Sequence, residues 1–166
     1  DPDALRHALA DVAARHEILR TVLPVQDGDA WQQVLDIAAA EPALGEVAVP
    51  EADVADRIVA EAARPFAVEH ETPLRAVLFT AEGEDGKPVR QTLLLVLHHI
   101  AADEWSLPPL LDDLAAAYTA RLRGADPRLP RLPVDHADFT LWQRDAVAAT
   151  EDVDADYWRT RLSGAP

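Results

Sequence analysis

Nine residues from His98 to Ser106 read His-His-Ile-Ala-Ala-Asp-Glu-Trp-Ser and follow directly on the apolar run Leu93 to Leu97. An imidazole at the end of a buried strand suits proton handling, because its unperturbed pKa of roughly 6.5 lies close to working pH. Side chains alternate along a strand, so a strand ending in two histidines presents one ring to each side, and only one can face a given pocket. Asp103, four residues after His99, is placed to orient a ring or to pair with a cation. A plainer reading has both histidines satisfied by backbone hydrogen bonds while Asp103 caps the helix that follows. Zinc fits poorly: adjacent strand histidines diverge too far to share a metal, and no cysteine or third histidine stands at ligand spacing.

These residues need a strand before them and a helix after them. Val89 to His98 reads as a strand apolar on both faces, which predicts a central place in its sheet. It pairs with a strand over Leu74 to Thr80 through the polar turn AEGEDGKP. Ser106, Pro108 and Pro109 open an amphipathic helix running to about Arg123, so the layout is strand, tight loop, helix. Leu5, Ala8, Leu9, Val12, Ala13 and His16 fall at helical spacing and predict a first helix from about Pro2 to Ile18. Thr21 to Val25 and Trp31 to Ile37 flank an Asp-Gly turn and read as a hairpin. Pro42 to Pro50 reads as loop with a short strand. Val54, Ile58, Val59 and Ala62 make a second amphipathic helix that ends before Pro65. Beyond the proline-punctuated connector GADPRLPRLPVD, two helices are predicted, near His136 to Ala149 and Glu151 to Leu162. The class is α/β, a mixed β-sheet with helices packed on it.

Composition bounds the function. With 166 residues, 49% of them hydrophobic, the chain can bury one ordinary core. A formal charge of −15 disfavours nucleic acid, whose phosphates call for clustered Lys and Arg. No apolar run is long enough to span a membrane, and zero cysteines exclude disulfides and thiol catalysis; a soluble, cytoplasmic protein is expected.

Four ordered segments add specificity: RHEILRT from Arg15, RPFAVEHETPLRAVLF from Arg64, the double histidine, and then DHADFTLWQRD from Asp135 with YWRTRLSGAP from Tyr157. Together they resemble the condensation domain of non-ribosomal peptide synthetases, within the chloramphenicol-acetyltransferase-like acyltransferases. The resemblance covers nearly the whole chain. It implies that residues 1–166 form a chloramphenicol-acetyltransferase-like N-terminal lobe, cut at both ends, with a first strand and a C-terminal lobe lying outside it and with little activity of its own.

The resemblance also assigns roles. His99 matches the histidine that faces the channel between lobes, and His98 then points into structure. The reaction implied joins two substrates carried as thioesters on the phosphopantetheine arms of upstream and downstream peptidyl carrier proteins, beside an adenylation domain, with no directly bound cofactor. A free α-amine has a pKa of about 7.7 to 8.0, so its base need not be strong, and positioning with polar stabilisation competes with full proton abstraction. Asp103 matches a structural aspartate expected to pair with Arg15 or Arg20, the alternative being the helix cap. Glu104 stands where the HHxxxDG pattern has glycine. That departure implies either a slightly different loop or a side chain lining the channel, as for Trp105 and Ser106, the latter read as a helix cap. His16, Arg64, Phe66, Arg75, Trp142 and Trp158 match family segments and are read as scaffold. Competing readings on the same fold are an epimerising relative, a coenzyme A acyltransferase, and a catalytically silent recruitment module.

Overall fold

The computed structural model describes residues 1–40, 42 and 44–165. It divides into one unit running to Arg131 and another beginning at Leu132.

The first unit is a three-stranded sheet with helices on both faces. Helix α1 (Pro2–Arg15) starts where the Asp1 carboxylate accepts the Ala4 N–H at 2.9 Å, with proline at its first position. Its buried stripe is Leu5, Ala8, Leu9, Val12 and Ala13. The helix stops three residues short of the expected Ile18, because His16 takes up extended backbone geometry and the chain tightens into a 3-10 turn over Glu17–Arg20.

The expected hairpin forms, but in two short pieces. Strand β1 (Thr21–Val22) pairs with β4 (Gln33–Val34), and β2 (Val25–Gln26) with β3 (Asp29–Ala30). Asp27 and Gly28 both have positive φ, 55° and 91°, the double left-handed turn that an Asp-Gly pair serves. Pro24 interrupts the ladder because it has no N–H, and the Leu23 N–H turns instead to the Val68 carbonyl.

Strand β5 (Leu44–Pro50) runs parallel to β6 (Leu74–Glu82), which pairs antiparallel with β7 (Pro88–Leu97), giving the order β5-β6-β7. Helix α2 (Val54–Ala62) forms the crossover from β5 to β6. Alternation along β6 divides the core. Leu74, Ala76 and Leu78 face α1 and helix α3 (Leu107–Leu122), whereas Val77, Phe79 and Ala81 pack with Val49 and Val54 on the side of α2. Of the four apolar residues expected on α2, Val59 is 67% exposed and lies off the buried stripe.

The expectation that the strand before the histidines is central is corrected: β6 occupies the centre, and β7 is an edge among the described residues. Leu93, Leu95 and Leu97 pack on the α1/α3 cluster and Leu94 on the α2 cluster. An apolar run on both faces therefore reports that both faces are covered, not that both edges are paired.

The second unit is built on helix α4 (His136–Arg161), with no buried residue. Two helices were expected here and one forms. Ala149-Thr150-Glu151 contains neither proline nor glycine, and the Thr150 hydroxyl donates along the helix to Asp154 at 2.7 Å. No helix of the described residues is long and apolar enough to cross a membrane.

Candidate active site

Strand β7 ends at Leu97, so the two histidines lie at the start of a turn and not within the strand. The His98 N–H donates to Pro73 O at 3.0 Å, and the Ala101 N–H returns to His98 O at 2.9 Å. The rings diverge as alternation requires. His98 is half-buried, its ring edge-on to Phe66 with centroids 5.8 Å apart, while His99 is exposed.

Hydrogen-bond partners give these neighbours opposite tautomers. The Nδ1 of His98 accepts the Ile100 N–H at 3.1 Å, which requires an unprotonated Nδ1 and hence a neutral ring with its hydrogen on Nε2. The Nδ1 of His99 lies 2.8 Å from Ala102 O, and a carbonyl only accepts, so Nδ1 carries the hydrogen. In the neutral ring the lone pair of His99 is therefore on Nε2, which has no partner among the described residues. Such a nitrogen can accept a proton or a hydrogen bond from an incoming group.

Among the described residues Asp103 forms no ion pair. Its Oδ1 accepts the Ser106 N–H at 2.9 Å and the Ser106 hydroxyl at 2.7 Å, and the Asp103 N–H donates back to the Ser106 hydroxyl at 3.2 Å. This reciprocal capping box begins the 3-10 turn Glu104–Ser106 that leads into α3. Hydrogen bonds from the Ser106 hydroxyl and then the Ser106 N–H hold the Asp103 carboxyl below its ordinary value.

The expected pairing of Asp103 with Arg15 or Arg20 is thus corrected in favour of the cap. Arg15 Nε donates to Asp113 Oδ2 at 2.8 Å, and His16 Nε2 contacts the same oxygen at 2.7 Å. Arg20 donates to Glu17 at 2.9 Å and to the Leu35 carbonyl at 2.6 Å. The physical reason is local: a serine three residues on takes the Asp103 oxygen, and α3 carries a different carboxylate to the end of α1. Asp113 had a signal in the sequence, since it flanks the buried stripe Leu110, Leu114 and Ala117.

Glu104 lies in the first turn of that 3-10 helix and is exposed; Asp27 is the one described non-glycine residue with positive φ, so glutamate here strains no backbone. Trp105 is 88% exposed and lies in neither apolar cluster of the described residues. Ser106 precedes α3 as its cap by position, but its hydroxyl turns back to Asp103 and makes no cap bond to α3.

A cavity of about 710 Å³ lies on the α2 side of the sheet, lined among others by Val47, Arg57, His70, Arg75 and Phe79. Neither histidine of the turn lines it. Among the described residues no group of three or more potential ligands could hold a metal.

A sequence model of the condensation domain matches residues 1–166. A probable non-canonical nonribosomal peptide synthetase, CymA of Salinispora arenicola, is 46% identical over 170 residues, covering 98% of this chain and 2% of the synthetase. The X-domain from teicoplanin biosynthesis superposes with a TM-score of 0.89 at 32% identity, covering all of this chain and 36% of that one. The epimerization domain from the third module of tyrocidine synthetase B shares the fold, with a TM-score of 0.82 at 21% identity over all of this chain and 38% of that one. With the condensation-domain model matched over residues 1–166, this chain belongs to the condensation-domain family.

Proposed function

We propose that this chain is the N-terminal lobe of a domain that forms peptide bonds between carrier-bound thioesters, and that His99 meets the reactants. The observation that carries the reading is the exposed Nε2 of His99, whose lone pair is set by the Nδ1–H bond to Ala102 O. An α-amine attacks the thioester carbonyl carbon, the C–N bond forms, and collapse of the tetrahedral intermediate breaks C–S and releases the carrier thiol. Nε2 holds the amine in line and takes its surplus proton, which passes to the departing thiolate. The substrates arrive on phosphopantetheine arms of upstream and downstream peptidyl carrier proteins, in a cytoplasmic assembly that includes an adenylation domain. A C-terminal lobe completes the channel. Trp105, Ile100, Leu107 and Leu111, all largely exposed around the turn and on α3, are the apolar side chains such a lobe would cover.

The test is His99→Ala in the full-length protein with carrier-loaded substrates. Peptide transfer is expected to fall by about 10²- to 10⁴-fold. Unchanged transfer would remove His99 from the reaction. The X-domain from teicoplanin biosynthesis is also known in complex with OxyB, and likeness to it favours a second reading, a catalytically silent recruitment module of the same fold. A wild-type protein that transfers nothing yet retains a stable protein partner would establish that reading in place of the first.

A further inference from the structure

We infer that Phe66 and Arg75 are positioning residues for the histidine turn, a claim that rests on His99 as the group that meets the reactants. Arg75 sits on β6 and is 7% exposed, so its guanidinium must be satisfied inside the fold. It donates to the carbonyls of Arg64 and Pro65, each at 3.1 Å, and to Glu71 at 2.9 Å. Its buried Nε lies 3.5 Å from a Glu61 oxygen without a hydrogen bond among the described residues. The hydrogen bond from Arg75 to Glu71, first of all, holds the Glu71 carboxyl below its ordinary value.

Both carbonyls belong to the two residues just before Phe66. Arg75 therefore pins the backbone that delivers the Phe66 ring, and its own Cζ stacks 4.3 Å from that ring's centroid. The other neighbour of the ring is the His98 imidazole, at an interplanar angle of 83°. His98 is thereby wedged between Phe66 and the Ile100 N–H that its Nδ1 accepts. The turn from His98 to Ala101 closes on this ring, and one residue further on the Ala102 carbonyl fixes the tautomer of His99. The path from a buried cation to the reactive nitrogen thus runs through two aromatic contacts and three hydrogen bonds.

Phe66 and Arg75 stand outside both apolar clusters of the described residues. Loss of the ring leaves those clusters filled, so geometry at the turn and stability of the fold can be separated. Near-attack geometry is sensitive to displacements of about 1 Å, which is the scale on which a released His98 ring would let the turn move.

The experiment uses the full-length protein with 15N-labelled histidine, and compares Phe66→Leu, Phe66→Tyr, Arg75→Lys and His99→Ala. Phe66→Leu is expected to lower kcat by about 10- to 100-fold with KM for the carrier-bound substrates unchanged. The ring-nitrogen signals of His98 and His99 are expected to shift from two opposed single tautomers towards mixtures, and Phe66→Tyr to restore both readouts. Arg75→Lys keeps the charge but loses the fork that spans both carbonyls, and it reports in place of Phe66→Leu if that variant fails to fold. A Phe66→Leu protein with kcat within about twofold of the parent and unmoved nitrogen signals, beside an inactive His99→Ala, would overturn the inference alone. If His99→Ala leaves transfer intact, the catalytic reading falls. The nitrogen signals then decide: a shift in Phe66→Leu sustains positioning, and none overturns it.

Discussion

The turn at His98–Ser106 and the junction of α1 with α3 are held by different means. Hydrogen bonds made by the side chains of His98, His99, Asp103 and Ser106 span no more than three residues and lie at the surface. The helix junction joins residues about a hundred positions apart: Arg15 and His16 to Asp113, and Arg121 to Asp11 through two bonds of 2.7 Å. These ion-paired side chains are 15 to 27% exposed. Local bonds set the geometry of the His99 ring. Distant ion pairs keep the helix that starts beyond the turn in place. Position and stability are thus assigned to separate sets of residues.

The largest effect on stability should come from the junction. Asp113→Ala removes the shared partner of Arg15 and His16 and is expected to cost about 2 to 3 kcal/mol, between the values for exposed and fully buried pairs. A double-mutant cycle sharpens the contrast. Arg15→Ala with Asp113→Ala should show a coupling of about 1 kcal/mol or more, whereas Arg15→Ala with Asp103→Ala should be additive. Denaturant unfolding of the full-length protein measures both, and a strong Arg15–Asp103 coupling would reverse the assignment made here.

A smaller effect belongs to the cap. The Asp103 carboxyl is held below its ordinary value in the folded state, so below that ordinary value the unfolded chain binds more protons. Its contribution is full above the ordinary carboxylate range and is lost as pH falls through the lowered folded value. The stability gap between the parent and Asp103→Asn should therefore be constant near neutrality and close on acidification. A gap that widened as pH fell would contradict the capping geometry.

Legibility from sequence followed the range of the interactions. The Asp27-Gly28 turn, the start of α1 at Asp1 and Pro2, and the strand, loop and helix around the histidines are local, and the residues that form them are adjacent. Places where the reading diverged are those where a distant or unpatterned partner decides. Apolar residues on both faces of β7 could not show which strand takes the centre of the sheet. Nothing near Asp103 distinguished Ser106 from an arginine as its partner, although the capping alternative was visible. The division of α4 at Ala149 had no breaker to support it, and Thr150 carries the helix through. Phe66 was legible as scaffold, but its seat between Arg75 and His98 exists only once β6 and β7 are paired.

Strand β6 joins its neighbours in opposite senses, and this bears on the order of assembly. The β6–β7 hairpin closes through five residues, Gly83 to Lys87, whereas the parallel pairing with β5 must wait for a crossover that includes α2. Short loops close at less entropic cost than long ones, so the hairpin is expected to form first. Pairing of Leu74 with Leu97 would then deliver both imidazoles to their turn before the sheet is complete. Pulse-labelled hydrogen exchange in which β5 amides gained protection ahead of those in β7 would argue for the reverse sequence. On the expected order, the histidine turn is among the earliest parts of the molecule to take shape.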